Sequence, residues 1–193
     1  FERPELQAEF KGKYGHDLAA PKTLDELKQI AEFFQGREID GKKVYGAAIF
    51  TERGSEGITM GVANALYPFG FKYQNPDKPY EMEGFVNSDG AVKGLEFYKE
   101  LYKCCTPPGY TDAYMQEGLD AFKSGQVAMQ MNWFAFFPGL YKDENVGGDK
   151  IGFFVNPGET VEASQLGGQG ISVVSYSEKK DDALKYIKWF ATP

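Results

Sequence analysis

The 193 residues include one histidine, two cysteines and no stretch near the roughly 20 apolar residues of a membrane span. The longest apolar run is Trp133 to Phe137. A lone histidine leaves little scope for a Ser-His-Asp or Cys-His arrangement. His16 sits in Tyr14-Gly15-His16-Asp17, a helix-ending turn, and is expected at the surface. Cys104 and Cys105 are neighbours, which is no metal-ligand spacing. They are either free thiols or a vicinal disulfide. No metal and no cofactor is expected. A basic excess is also missing. Lys and Arg number 21 against 28 Asp and Glu, a formal charge of −7. That argues against nucleic acid, which needs a basic face, and against docking on anionic lipid. Neither a dinucleotide fingerprint nor a P-loop is present, because Gly167-Gly168-Gln169-Gly170 precedes a strand pattern and no Gly-Lys-Ser/Thr follows. Carboxylates are plentiful, yet no two stand out as a glycosidase pair.

Aromatic residues are abundant, with 16 Phe and 12 Tyr. They support a sizeable core and leave rings over to line a pocket. Residues 4 to 13 show helical spacing. Pro21-Lys22-Thr23-Leu24-Asp25-Glu26 is a helix start with a Thr23/Glu26 capping box, and Leu24, Leu27, Ile30, Ala31 and Phe34 form its apolar face. The Asp40-Gly41 turn leads into a strand from Val44 to Phe50. The loop Thr51 to Gly57 then opens a helix running to about Leu66, ended by Tyr67-Pro68-Phe69. A polar excursion follows, and Ser88 starts a helix whose apolar face is expected at Val92, Leu95, Tyr98, Leu101 and Tyr102. A short helix around Leu119 and Phe122 ends at Gly125 and feeds the strand before Asn132 and Trp133. Further strands are expected at Ile151 to Val155 and Ile171 to Val174. Ser177 is expected to cap a last helix with Ala183, Leu184, Ile187 and Phe190 inward. Helices alternating with short buried strands make the class α/β.

Ligands of open α/β sheets bind outside the carboxyl ends of the strands. Trp133 stands at such an end, where an indole face stacks on a sugar ring. The same position also suits a core aromatic. Tyr67 and Phe69 are further stacking candidates, and Arg53, Glu52, Asn132 and Gln169 are hydrogen-bonding candidates. Packing at a helix end and a solvated loop are the plain alternatives for the tyrosine, the phenylalanine and the charged pair.

Four segments carry a family likeness. Pro21-Lys22-Thr23-Leu24-Asp25-Glu26-Leu27 resembles a Pro-x-Thr-Trp-Asp-Glu helix start, with Leu24 where Trp is usual. Asp120 to Met129 resembles a Phe-x-x-Gly-x-Ala-Met signature. Gly167-Gly168-Gln169-Gly170-Ile171 resembles a Gly-Gly crossing strand, and Asp182 to Phe190 the helix that follows it. In this order they resemble the extracellular solute-binding proteins of ABC importers, the branch that carries sugars. The resemblance implies a periplasmic-binding-protein-like lobe, three-layer α/β/α, within an incomplete two-lobe protein. It implies a ligand-binding lobe over 1–165 and a crossover strand and helix over 166–193. Trp133, the loop Glu52-Arg53, Gly168 and Gln169 would face the cleft, with Tyr67 near it. It further implies capture of a saccharide or polyol without catalysis, ABC permease subunits as partners, a monomer, and a periplasmic or extracellular location, lipid-anchored in a Gram-positive cell. Both chain ends read as cut, so a longer protein is expected. A carbohydrate-active enzyme domain and an interaction module without a small ligand are the readings from other classes.

Overall fold

The computed structural model describes residues 1–168 and 170–192, leaving aside the side chains of Ser55 and Ile58. Its helices are α1 (Pro4–Tyr14), α2 (Leu24–Phe34), α3 (Ser55–Leu66), α4 (Asp89–Cys105), α5 (Met115–Lys123), α6 (Phe137–Tyr141) and α7 (Lys180–Phe190). Its strands are β1 (Arg37–Ile39), β2 (Lys42–Ala48) and β3 (Val127–Gln130), in the order β1-β2-β3.

Local chemistry explains several boundaries. Thr23 Oγ1 accepts from the Glu26 N–H at 3.1 Å and caps α2. The Glu26 carboxylate reaches back to the Lys22 N–H at 2.6 Å, one residue earlier than a capping box requires. Asp40 and Gly41 take φ of 52° and 73°, the left-handed pair of a two-residue hairpin, and so join β1 antiparallel to β2. β1 is an element that the spacing of apolar residues did not announce. β2 runs parallel to β3, with Tyr45 opposite Val127 and Ala47 opposite Met129. A parallel pair needs a long crossover, which α3, α4 and α5 supply. The Ser88 hydroxyl accepts from the Ala91 N–H at 3.2 Å and starts α4 as expected.

The core gathers Leu6 and Phe10 of α1, the buried face of α2, Ala47, Ile49 and Met129 of the sheet region, and Phe97, Leu101 and Cys105 of α4. α2 and β2 come so close at Gly46 that a Cβ there would stand 2.2 Å from the Ala31 carbonyl oxygen. The Gly46 N–H donates to Gln35 Oε1 at 2.9 Å.

Several sequence expectations change in the folded chain. α4 buries Ala91, Gly94, Phe97, Leu101 and Cys105, while Val92 and Leu95 are about half exposed, at 50% and 49%. The reason is close helix packing: a Cβ on Gly94 would lie 2.8 Å from the Ala65 carbonyl oxygen of α3. Small residues meet α3 there, and Val92 and Leu95 fall outside the buried face. Residues 151–155 and 171–174 form no ladder among the described residues. An isolated bridge, Thr23 to Gly158, and the Asp25 N–H donating to Glu159 Oε1 at 3.1 Å tie the following segment to α2. A run of apolar residues signals a need for cover, and a strand also needs a neighbour to pair with. α7 has no buried residue. Leu184 and Phe190 are exposed, and Ala183 and Ile187 are half-buried, because no described element packs closely against it. Ser177 Oγ accepts from the Lys179 N–H at 3.1 Å, before the helix rather than at its cap. His16 is half-buried rather than free at the surface. Its Nε2 donates to Gln29 Oε1 at 2.8 Å, and its ring meets Phe10 edge-on. Cys104 and Cys105 are joined as a vicinal disulfide, with Cys105 fully buried. No described helix is long and apolar enough to cross a membrane.

Candidate functional site

β2 and β3 are parallel, so their carboxyl ends open at one edge of the sheet. Phe50 lies two residues beyond the end of β2, and Asn132 and Trp133 lie just beyond β3. The Trp133 ring packs at 5.4 Å from Phe50 with 32° between the planes. Tyr114 meets it edge-on at 6.1 Å, and Phe136 lies at 6.5 Å. This cluster is held from behind. The Tyr98 hydroxyl donates to the Phe50 carbonyl, and burial pushes the Tyr98 phenol up to about 12, so the donor keeps its proton. The backbone N–H groups of Thr51 and Glu52 both donate to the Ala113 carbonyl, which fixes β2's exit beside Tyr114.

Trp133 is half-buried and borders a cleft of about 1160 Å³. Asn64, Gln130, Asn132, Asn156 and Gln165 bring neutral amides to its lining. Its charged neighbours are Glu2, Arg3, Asp149 and Lys150, two of each sign. Arg3 is further engaged with Asp40. Asn132 is oriented by two bonds. Its Oδ1 accepts from the Trp133 N–H at 2.9 Å, and its Nδ2 donates to the Met115 carbonyl at 3.3 Å. The Gln130 amide and Gln165 Oε1 are buried without a hydrogen-bond partner among the described residues. Buried polar groups of that kind ordinarily find partners in water or ligand.

Behind the aromatic cluster, Glu52 is half-buried and folds over the first turn of α3 at Gly54 and Gly57, where the helix N-terminus favours a carboxylate. Desolvation first, then the carboxylates of Glu56 and Glu52, raise the Tyr114 phenol. Glu52 therefore meets the aromatic cluster through Tyr114 and does not line the cleft.

Of the residues singled out by sequence, the structure brings Trp133 and Asn132 together in the cleft. Gly168 is exposed and follows Gly167, the last lining residue in the chain. Arg53 is exposed on its loop and does not border the cleft. Tyr67 packs against Phe71 and Tyr73, with its phenol raised by burial first and by Tyr73 second. Phe69 packs into the main core. Neither ring borders the cleft: Tyr67 turns to Phe71 and Tyr73, and Phe69 to the core, although Asn64 in the last turn of α3 does line it. Gln169 lies outside the described residues. Sequence reasoning missed Phe50, Tyr114, Asn64, Asn156 and Gln165. Phe50 had a signal, since it closes the apolar run that continues β2. The three amides had none, because they come from separate segments that only the tertiary fold assembles. No group of three or more His, Cys, Asp or Glu among the described residues suits a metal ion.

Comparison with known proteins gives this geometry a context. The family of bacterial extracellular solute-binding proteins matches residues 7–193. A probable ABC transporter-binding protein of Deinococcus radiodurans is 26% identical over 181 residues, which is 92% of this chain and 42% of that protein. A probable amino-acid ABC transporter periplasmic-binding protein of Sinorhizobium fredii is 27% identical, covering 91% of this chain and 38% of that one. Among solved structures, an ABC transporter solute-binding protein of Agrobacterium radiobacter K84 in complex with ribitol superposes with a TM-score of 0.74. It is 25% identical, and the match covers 95% of this chain and 45% of that one. Solute-binding proteins of Agrobacterium vitis S4 with D-mannitol (TM-score 0.70, 20% identical, 95% of this chain and 43% of that one) and of Thermotoga lettingae with α-D-tagatose (0.73, 24%, 95% and 46%) share the fold. The chain thus spans less than half the length of each of these proteins. With the periplasmic-binding-protein fold and a family match over nearly its whole length, the chain belongs to the bacterial extracellular solute-binding proteins.

Proposed function

We propose that this chain builds one wall of the solute cleft in the binding component of an ABC importer, and that the solute is an uncharged sugar or polyol. The observation that carries the reading is the Trp133 indole beside Asn132, in a mostly apolar cleft whose uncharged polar lining is chiefly side-chain amide. An indole face suits the C–H surface of a sugar. Planar amides both donate and accept, as hydroxyl groups require. The charged residues at this cleft number two of each sign, and Arg3 is engaged with Asp40, so the lining carries no excess charge to select a charged solute. Ribitol in the Agrobacterium radiobacter relative is consistent with this chemistry.

In this reading residues 1–165 form the ligand-binding lobe, and 166–193 cross toward the other lobe. Trp133 and Asn132 contact the solute. Gly168 lies at the crossover, and Glu52, Tyr67 and Phe69 support the lobe from outside the contact zone, with Arg53 exposed on its loop. Capture proceeds by closure around the solute, a population shift set by tighter binding in the closed form, and no bond is made or broken. The closed form docks as a monomer on the permease, outside the cytoplasmic membrane. It is lipid-anchored in a Gram-positive cell.

Thermal unfolding of the full-length protein against sugars, polyols, amino acids and phosphorylated solutes tests this. Amino acids belong on the panel because the Sinorhizobium relative carries that name. A solute at a hundredfold excess over its dissociation constant adds about 2.7 kcal/mol of stability. A shift with a neutral sugar or polyol alone is the expected result. A shift confined to amino acids or phosphorylated solutes overturns the proposed solute class. Turnover of an oligosaccharide would move the protein among the enzymes.

A further inference from the structure

The strap from Asn156 to Gly167 has no regular secondary structure, yet it is fastened at several points. Asn156 Nδ2 donates to the Asn64 carbonyl at 2.9 Å and to the Ala163 carbonyl at 3.0 Å. The Gln165 N–H donates to Asn64 Oδ1 at 3.0 Å. The N–H groups of Thr160 and Val161 both donate to the Pro68 carbonyl, at 2.9 and 3.0 Å, and the Gly158 N–H donates to the Lys22 carbonyl at 3.0 Å. Two residues after the Asn64 fastening the chain reaches Gly167. A Cβ there would stand 2.9 Å from Trp133 Nε1 and 3.4 Å from Cδ1. At Gly168, a Cβ would meet nothing within 4 Å.

We propose that Gly167, held in place by the Asn64 clasp, is a positioning residue for the Trp133 indole and thereby sets the solute affinity of the cleft. A methyl group at 167 cannot be absorbed cheaply. The strap is tied to α3 just upstream, and the indole is flanked by Phe50, Tyr114 and Phe136. The ring must therefore tilt, and tilting moves the surface it offers to the cleft. The adjacent glycine carries no such constraint, so the two neighbours make a matched pair. The effect on affinity rests on the reading of Trp133 as the stacking surface. The effect on the ring does not.

The experiment uses the full-length protein with exposed Trp189 replaced by Phe, so that Trp133 is the sole indole of this chain. In the variant Gly167→Ala, the change in emission maximum and acrylamide quenching produced by the Trp133 indole, taken as the difference from the matching Trp133→Phe protein, should differ clearly from the parent. Affinity for ribitol, D-mannitol or tagatose, whichever binds the parent, should fall at least tenfold. Gly168→Ala should leave the emission readout at the parent value. Asn64→Leu should move the emission in the same direction as Gly167→Ala, and Asn64→Asp, which keeps the acceptor for the Gln165 N–H, should restore it. Parent-like emission in both Gly167→Ala and Asn64→Leu overturns the proposal, as does an equal change in Gly168→Ala. If emission responds as expected but Trp133→Ala binds the solute with parent affinity, the ring-positioning half stands and the affinity half falls, together with the stacking role of Trp133.

Discussion

At the scale of single residues, the cleft turns on Trp133. Its ring is supported by Phe50 and Tyr114 and is only half covered, so replacing it removes a surface and leaves the core in place. Trp133→Ala should weaken binding of the responding sugar or polyol about tenfold or more, equivalent to ~1.4 kcal/mol. Isothermal titration gives the loss, and an unchanged circular dichroism spectrum establishes that the fold persists. Unaltered affinity would take Trp133 out of the site. Asn132 acts differently. Both of its amide atoms already bond to the backbone, so it fixes the turn after β3 as well as facing the cleft.

Elements meet through small residues. α2 and β2 touch at Gly46, and α3 and α4 at Gly94, with carbonyl oxygens where a side chain would start. Gly46→Ala would place a methyl group inside the Ala31 peptide of a helix whose other face is buried in the core. Overpacking of this kind costs about 3 kcal/mol, read as a lower urea midpoint at constant slope. A midpoint within error of the parent would mean that α2 slides freely on the sheet. The same logic explains why Val92 and Leu95 turned outward. Counting apolar residues along α4 selects a plausible stripe, but close approach to α3 demands Ala91 and Gly94 on the contact face. Sequence periodicity records hydrophobicity and does not record the distance between helix axes.

Across the whole molecule, charge ties stability to pH. Glu117 accepts the backbone N–H groups of Tyr114 and of Glu117 itself, which lowers its carboxyl below the ordinary 4.5. Asp143, beside Lys123 and the Asn145 N–H, is lowered from 3.8. Such groups stabilise the fold above their unfolded-state values, and that contribution is lost as pH falls through the folded ones. His16 has the opposite sign. Its hydrogen bond to Gln29 raises it above 6.5, opposed by desolvation and assisted by its bond to the Asp17 carbonyl. Its contribution is complete below 6.5 and disappears as pH rises through the folded value. The melting temperature should therefore drop below about pH 4.5, with a shallower decline above 6.5 that His16→Gln abolishes. A flat profile on the alkaline side of the parent would exclude the His16 contribution.

Local signals determined much of this protein. Thr23, Ser88, Asp40-Gly41 and Gly125 punctuate the chain through hydrogen bonds and backbone angles that involve only a few neighbouring residues, so their effects were legible in the sequence. The order of motifs carried the family, and the end of β3 pointed to Trp133 and Asn132. Tertiary structure decided what depends on distant partners. Residues 151–155 and 171–174 are apolar enough for strands but pair with nothing described, and α7 has an apolar stripe that no described element covers. The cleft amides Asn64, Asn156 and Gln165 come from two well-separated segments, 64 and 156–165, and meet through hydrogen bonds spanning about a hundred residues of chain. A sequence specifies which groups need partners. Only folding, which sets distances between segments far apart along the chain, decides which partners they get.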